Sequence, residues 1–179
     1  MLTCVGRFFL LSTTESRNAL IYRALLKTMH EIESWIETAA STQNITIKKL
    51  PTADAQNVMR ETMARYVRND ARSLALWMDI TRPVDECYDR NLVKFTDIAP
   101  SKTGLCWLVP ETGAPNAIDL PVYELDVSEI ERLIDDCYGF EYNVVAHDFS
   151  WLVAETHNDP YYVYREPDGL SKSWASPTE

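Results

Sequence analysis

The stretch from Asp126 to Arg165 constrains the fold more than any other part of the chain. Val127, Ile130, Leu133, Ile134 and Cys137 recur at helical spacing and mark a helix of about three turns. Asp126 is followed three residues later by Glu129, and Ser128 by Glu131, so either pair can form a capping box at its start. Gly139 stands where a left-handed residue would close the helix. Phe140 to His147 then reads as a strand, Asp148 to Ser150 as a turn, and Ser150 to His157 as a second strand. Asn158-Asp-Pro160 breaks the run, and Tyr161 to Arg165 resembles a third strand. A helix followed by strands this closely spaced assembles most simply as an antiparallel meander backed by the helix.

Upstream, Tyr22, Leu25, Leu26, Met29, Ile32 and Ile36 define a helix over 14–40, with Glu33 the one polar intruder and Ser41 to Asn44 ending it. Asn44 to Leu50 alternates and reads as a short strand stopped by Pro51. Thr52 to Val67 is a second helix with Val58, Met59, Met63, Tyr66 and Val67 on its apolar side. Ser73 to Ile80 is apolar without a clear period, and 82–90 reads as loop. Leu92 to Ile98, Leu105 to Val109 and Pro121 to Leu125 are strand candidates, with loop between 111 and 121. The expected fold is therefore α+β: an antiparallel sheet of about five to six strands with two or three helices packed on it. We expect one domain over 1–179, with a helical N-terminal part (1–70), a sheet-rich part (71–165) and a loose tail (166–179).

Charge is distributed unevenly. The 179 residues carry 17 Lys and Arg against 27 Asp and Glu, a formal net charge of -10. Residues 1–70 hold 9 basic and 7 acidic side chains, and residues 71–179 hold 8 and 20. The acidity thus belongs to the sheet-rich part. It disfavours a protein that coats phosphate backbones, and it reads either as a solvated surface that keeps the protein soluble or as an acidic face for a basic protein partner. No window reaches the ~18 apolar residues of a membrane helix. Arg7 interrupts the apolar N-terminus and no basic segment precedes it, so a signal peptide is not expected and the cytoplasm is the expected location. Cys4, Cys87, Cys106 and Cys137 are scattered, without a C-x-x-C pair, and read as reduced thiols.

Chemistry-bearing residues are few. The three histidines are His30, His147 and His157. His147 and His157 fall at opposite ends of the expected hairpin, on the order of 20 Å apart at ~3.3 Å per residue, too far to share one ion. No metal and no cofactor are expected. The catalytic candidate is His157 with Glu155, Glu141 and Asp159: Glu155 and His157 share a sheet face, and a three-residue turn would set Glu141 opposite His157, where a carboxylate could raise the imidazole's basicity. No nucleophile elbow, phosphate-binding loop or dinucleotide fingerprint is present. Trp77, Trp107 and Trp151 sit on separate apolar segments and are expected to meet in one core. Trp107, Trp151 and Tyr142, with His157, are the candidate binding residues for a small ligand.

The run Cys137-Tyr-Gly-Phe-Glu-Tyr-Asn-Val-Val-Ala-His147, continuing through Trp151-Leu152 to His157-Asn-Asp159, resembles the signature of a bacterial domain family of unknown function. Leu76-Trp-Met-Asp-Ile-Thr-Arg-Pro83 resembles a second element of that family, so the resemblance spans roughly 74–165. His157-Asn-Asp-Pro160 leads here into Tyr161-Tyr-Val-Tyr164, where family members show a small apolar run and Gly. The resemblance implies no established activity. Small acidic bacterial proteins of similar kind include immunity proteins of toxin systems, and a non-enzymatic, immunity-like binding module is the leading expectation, with a hydrolase-type enzyme using His157 as the alternative.

Overall fold

The computed structural model describes residues 30–67, 75–81, 84–114, 116–137, 139–156 and 160–165. The N-terminal half of the helix expected over 14–40, the expected tail, and His157 and Asp159 lie outside the described residues. Residues 30–43 are helical (α1), followed by β1 (Lys48–Lys49) and α2 (Thr52–Tyr66). A 3-10 turn at Leu76–Asp79 leads to β2 (Glu86–Asp89), α3 (Phe95–Ile98) and β3 (Leu105–Pro110). A second 3-10 turn (Ala117–Asp119) precedes β4 (Tyr123–Asp126), and a third (Val127–Glu129) runs into α4 (Ile130–Asp135). The hairpin of β5 (Tyr142–Ala146) and β6 (Trp151–Glu155) and then β7 (Pro160–Arg165) complete the described chain.

All seven strands form one sheet in the order β1-β4-β3-β5-β6-β7-β2, every neighbour antiparallel. The α+β architecture is as expected, with one strand more than the upper estimate. The sheet is covered on both faces rather than backed on one. Ile32, Ile36, Ala39 and Ala40 of α1, Phe95 and Ile98 of α3, and Ile130 and Leu133 of α4 pack on the face that carries Leu108, Val144 and Val153. Ala55, Val58, Met59 and Tyr66 of α2 pack on the opposite face, against Trp107, Val145 and Leu152. Two covered faces explain why β5 and β6 are buried at every position and read as continuous apolar runs instead of alternating ones. Trp77 and Trp107 lie on the α2 side and Trp151 on the α1 side, so the tryptophans do not share one core.

Three local readings are corrected. Residues 86–89, expected as loop, pair with β7 from Glu86↔Val163 to Asp89↔Pro160; an edge strand needs one partner only, and its charged ends suit an exposed edge. Leu92 to Ile98, expected as strand, ends in the helical turn α3. Phe95 and Ile98 are buried three residues apart, and Lys102 Nζ donates to the carbonyls of Thr96 and Asp97 at its end. The strand expected over 44–50 shortens to Lys48–Lys49, because Asn44 (φ 54°) closes α1 in the left-handed region, with Ile45 N donating to Ala40 O at 2.8 Å.

Helix starts follow one half of the expected grammar. Asp126 Oδ1 accepts from Ser128 N (2.9 Å) and Ser128 Oγ (2.6 Å), capping the turn that feeds α4. The reciprocal carboxylates go elsewhere: Glu129 binds Arg132, and Glu131 accepts from Thr96 N. Gly139 does not take the left-handed conformation. Asp126→Ala is expected to lower stability by about 1 kcal/mol, read as a fall in the urea midpoint; an unchanged midpoint would show that the cap is idle.

Candidate functional site

The β5–β6 register, Tyr142↔Glu155 through Val145↔Leu152, is the one that a two-residue turn produces. Asp148 Oδ1 binds Ser150 N and Oγ across that turn, and Phe149 occupies the left-handed region (φ 59°). The register that would oppose Glu141 to residue 157 is not adopted. Side chains alternate along a strand, so Glu155 and Tyr142 project on the α1 side while Glu141 projects on the α2 side, where its Oε2 accepts from Trp77 Nε1 (2.9 Å). Glu155 and Glu141 are therefore on opposite faces of the sheet.

The binding candidates also separate. Trp107 is buried on the α2 side, its ring 4.6 Å from both the His147 and Phe149 rings. His147 Nε2 lies 3.4 Å from Glu124. Trp151 lines a cavity of about 290 Å³ at the turn end of the hairpin, together with Ser101, Thr103, Asp148 and Ser150. Tyr142 sits at the other end of the same face, in a smaller cleft of about 80 Å³ between β5, β7, α4 and the segment before α3.

That cleft is the polar one. Arg90 Nη1 donates to Glu155 Oε1 at 2.5 Å, and the Tyr142 and Tyr161 hydroxyls hydrogen-bond each other at 3.0 Å. Glu131 and Asp135 of α4 close the remaining side. Burial, first of all, holds both phenols above the ordinary tyrosine range, so they act as neutral donors and acceptors.

A second polar site was not anticipated from the sequence. Glu111 follows β3 directly and continues its alternation with Trp107 and Val109, which is the signal that was available for it. Its Oε1 accepts from Leu76 N and from Asn143 Nδ2, both at 2.7 Å. Glu111 Oε2 and Asn143 Oδ1 are buried and have no hydrogen-bond partner among the described residues. Burial chiefly, with the nearby Glu141 and Asp79 carboxylates adding, pushes the Glu111 carboxyl up to about 7, against the pull of its two donors. Glu111 thus holds a proton close to neutrality while anchoring the Leu76–Asp79 turn to the sheet.

Among the described residues no group of three or more His, Cys, Asp or Glu is placed to hold a metal ion, and no helix is long and apolar enough to cross a membrane. The fold defines an α+β protein whose antiparallel sheet lies between two helical layers, with a charged cleft on one face and a buried carboxyl on the other. No known protein family, curated protein or solved structure matches the chain.

Proposed function

We propose that the protein is a cytoplasmic, non-enzymatic binding module that meets a basic protein partner through an acidic surface, in the manner of an immunity protein. The observation that carries this reading is the segment from Asp126 to Asp136. It holds five carboxylates, Asp126, Glu129, Glu131, Asp135 and Asp136, against one cation, Arg132. Arg132 is already engaged, with Nη1 on Glu129 (2.5 Å) and Nη2 on Gln43 O (2.7 Å). Asp135 and Asp136 are exposed at the end of α4. A surface of one sign steers an oppositely charged partner and sets its rate of encounter, and that attraction fades as salt shortens the screening length from about 10 Å at 0.1 M to about 3 Å at 1 M.

The test is a pull-down with the full chain at low and high salt, repeated with Asp135→Lys/Asp136→Lys. A basic protein retained at low salt, released at high salt and lost to the charge-reversed variant supports the reading. Retention indifferent to salt and to charge reversal, or no partner at all, overturns it.

A further inference from the structure

We propose that Glu111 and Asn143 close a carboxylic acid–amide ring, in which a proton on Glu111 Oε2 is donated to Asn143 Oδ1, and that this ring latches the Leu76–Asp79 turn to the sheet until the proton leaves for solvent. The latch lies on the α2 side of the sheet and does not depend on the acidic-surface reading.

Two orphaned atoms point to the ring. Glu111 Oε1 accepts from Asn143 Nδ2 at 2.7 Å. The second atom of each group, Glu111 Oε2 and Asn143 Oδ1, is buried and has no hydrogen-bond partner among the described residues. Asn143 itself is 0% exposed. An ionised carboxylate offers acceptors only, so that edge would set acceptor against acceptor. Turning the amide over only moves the conflict to Oε1. A single proton on Oε2 removes it. The carboxylic acid then has one donor and one acceptor side by side, matched to the acceptor and donor of the amide.

The surroundings favour that proton. The charged groups that act on Glu111 among the described residues are Glu141, just before β5, and Asp79, at the end of the turn. Both are carboxylates, and with burial they hold the Glu111 carboxyl up to about 7.

The turn hangs on the same two glutamates. Glu111 Oε1 also accepts from Leu76 N at 2.7 Å, and Leu76 is 2% exposed. Trp77, the next residue, donates Nε1 to Glu141 Oε2 at 2.9 Å. Once Glu111 ionises, these two anchors repel each other. The new charge is relieved by reaching water, and the segment that yields most readily is the short 3-10 turn, not a strand held in a ladder.

The experiment follows the isotope-labelled full chain by NMR from about pH 4 to about pH 8. The Glu111 Cδ and Asn143 Cγ resonances are expected to titrate together, with a midpoint near 7. Infrared spectra are expected to show a protonated-carboxyl band at the acid end that Glu111→Gln removes. Hydrogen exchange reads the latch. Corrected for base catalysis, protection of the Leu76 amide is expected to stay below that of the β5 amides and to fall roughly tenfold or more between about pH 5 and about pH 8. Glu111→Gln, whose amide can close the ring at any pH, is expected to abolish the fall. A Glu111 carboxyl that titrates near the ordinary 4.5, as one bridged to Asn143 by a water would, or an Asn143 Cγ resonance that does not move with it, overturns the ring. Leu76 protection that equals that of the β5 amides, or that stays constant over this range, overturns the latch. The wild-type readings decide both questions even where Glu111→Gln fails to fold.

Discussion

Stability is expected to fall by about 3 kcal/mol as the pH rises from about 4.5 to about 7, because of one side chain, Glu111. An ordinary glutamate loses its proton near 4.5, and burial holds the folded carboxyl up to about 7. Below the lower value both the folded and the unfolded chain carry the proton, and the stabilisation is complete. Between the two values the unfolded chain ionises first and is favoured by each step of pH, at about 1.4 kcal/mol per unit. Above the upper value the loss is complete. Glu111→Gln keeps an oxygen for Leu76 N and removes the titration, so its urea midpoint should be flatter across this window and higher than wild type at the alkaline end. A wild-type profile already flat between these values, or a variant that falls as steeply, would contradict the assignment. Asp126 and Asp148 titrate in the opposite sense. Their carboxyls are held low, Asp126 chiefly by the Ser128 hydroxyl and Asp148 by Ser150 against its own burial, so their contribution is lost on the acid side.

The second large effect is expected from Leu108→Ala. Leu108 is fully buried in β3, an interior strand paired on both sides, on the face covered by α1, α3 and α4. Truncation there removes transfer free energy and leaves a void that neighbouring strands, locked in their ladders, cannot close. A loss of about 3–5 kcal/mol is expected, a large part of the ~5–15 kcal/mol that holds a domain folded. Leu92→Ala is the control: at 80% exposure it should move the midpoint by less than about 0.5 kcal/mol. A Leu108→Ala loss below about 1 kcal/mol would mean that this face repacks freely.

The sequence was legible where burial repeats with a period. α2, β3, the β5–β6 hairpin and β7 follow from apolar spacing, and the excess of carboxylates after Asp126 follows from counting. It was illegible where a residue's state depends on a distant partner. β2 is a strand because β7 offers it a free ladder, and four residues beginning and ending in acid give little sign of that. α3 is helical because Phe95 and Ile98 must face one core together. Glu111 is distinguished by Leu76 and Asn143, 35 and 32 residues away, and Glu155 by Arg90 at 65. The site residues suggested by proximity in sequence were divided by strand alternation: one residue of phase put Glu141 and Glu155 on different faces.

The strand order carries a consequence for how the chain reaches this structure. The middle of the sheet is assembled from the second half of the chain, with β5, β6 and β7 following one another closely. Both rims come from earlier sequence: Lys48 meets Glu124 and Cys87 meets Tyr162, each across about 75 residues. Such long closures lose more chain entropy than a short hairpin does, and each rim returns only two or four ladder positions for it. The centre is therefore expected to condense first, with the rims docking onto it. A ribosome that has released Lys49 must still deliver β4 before that rim has anything to join, and one that has released Asp89 must still deliver β7, the last strand described.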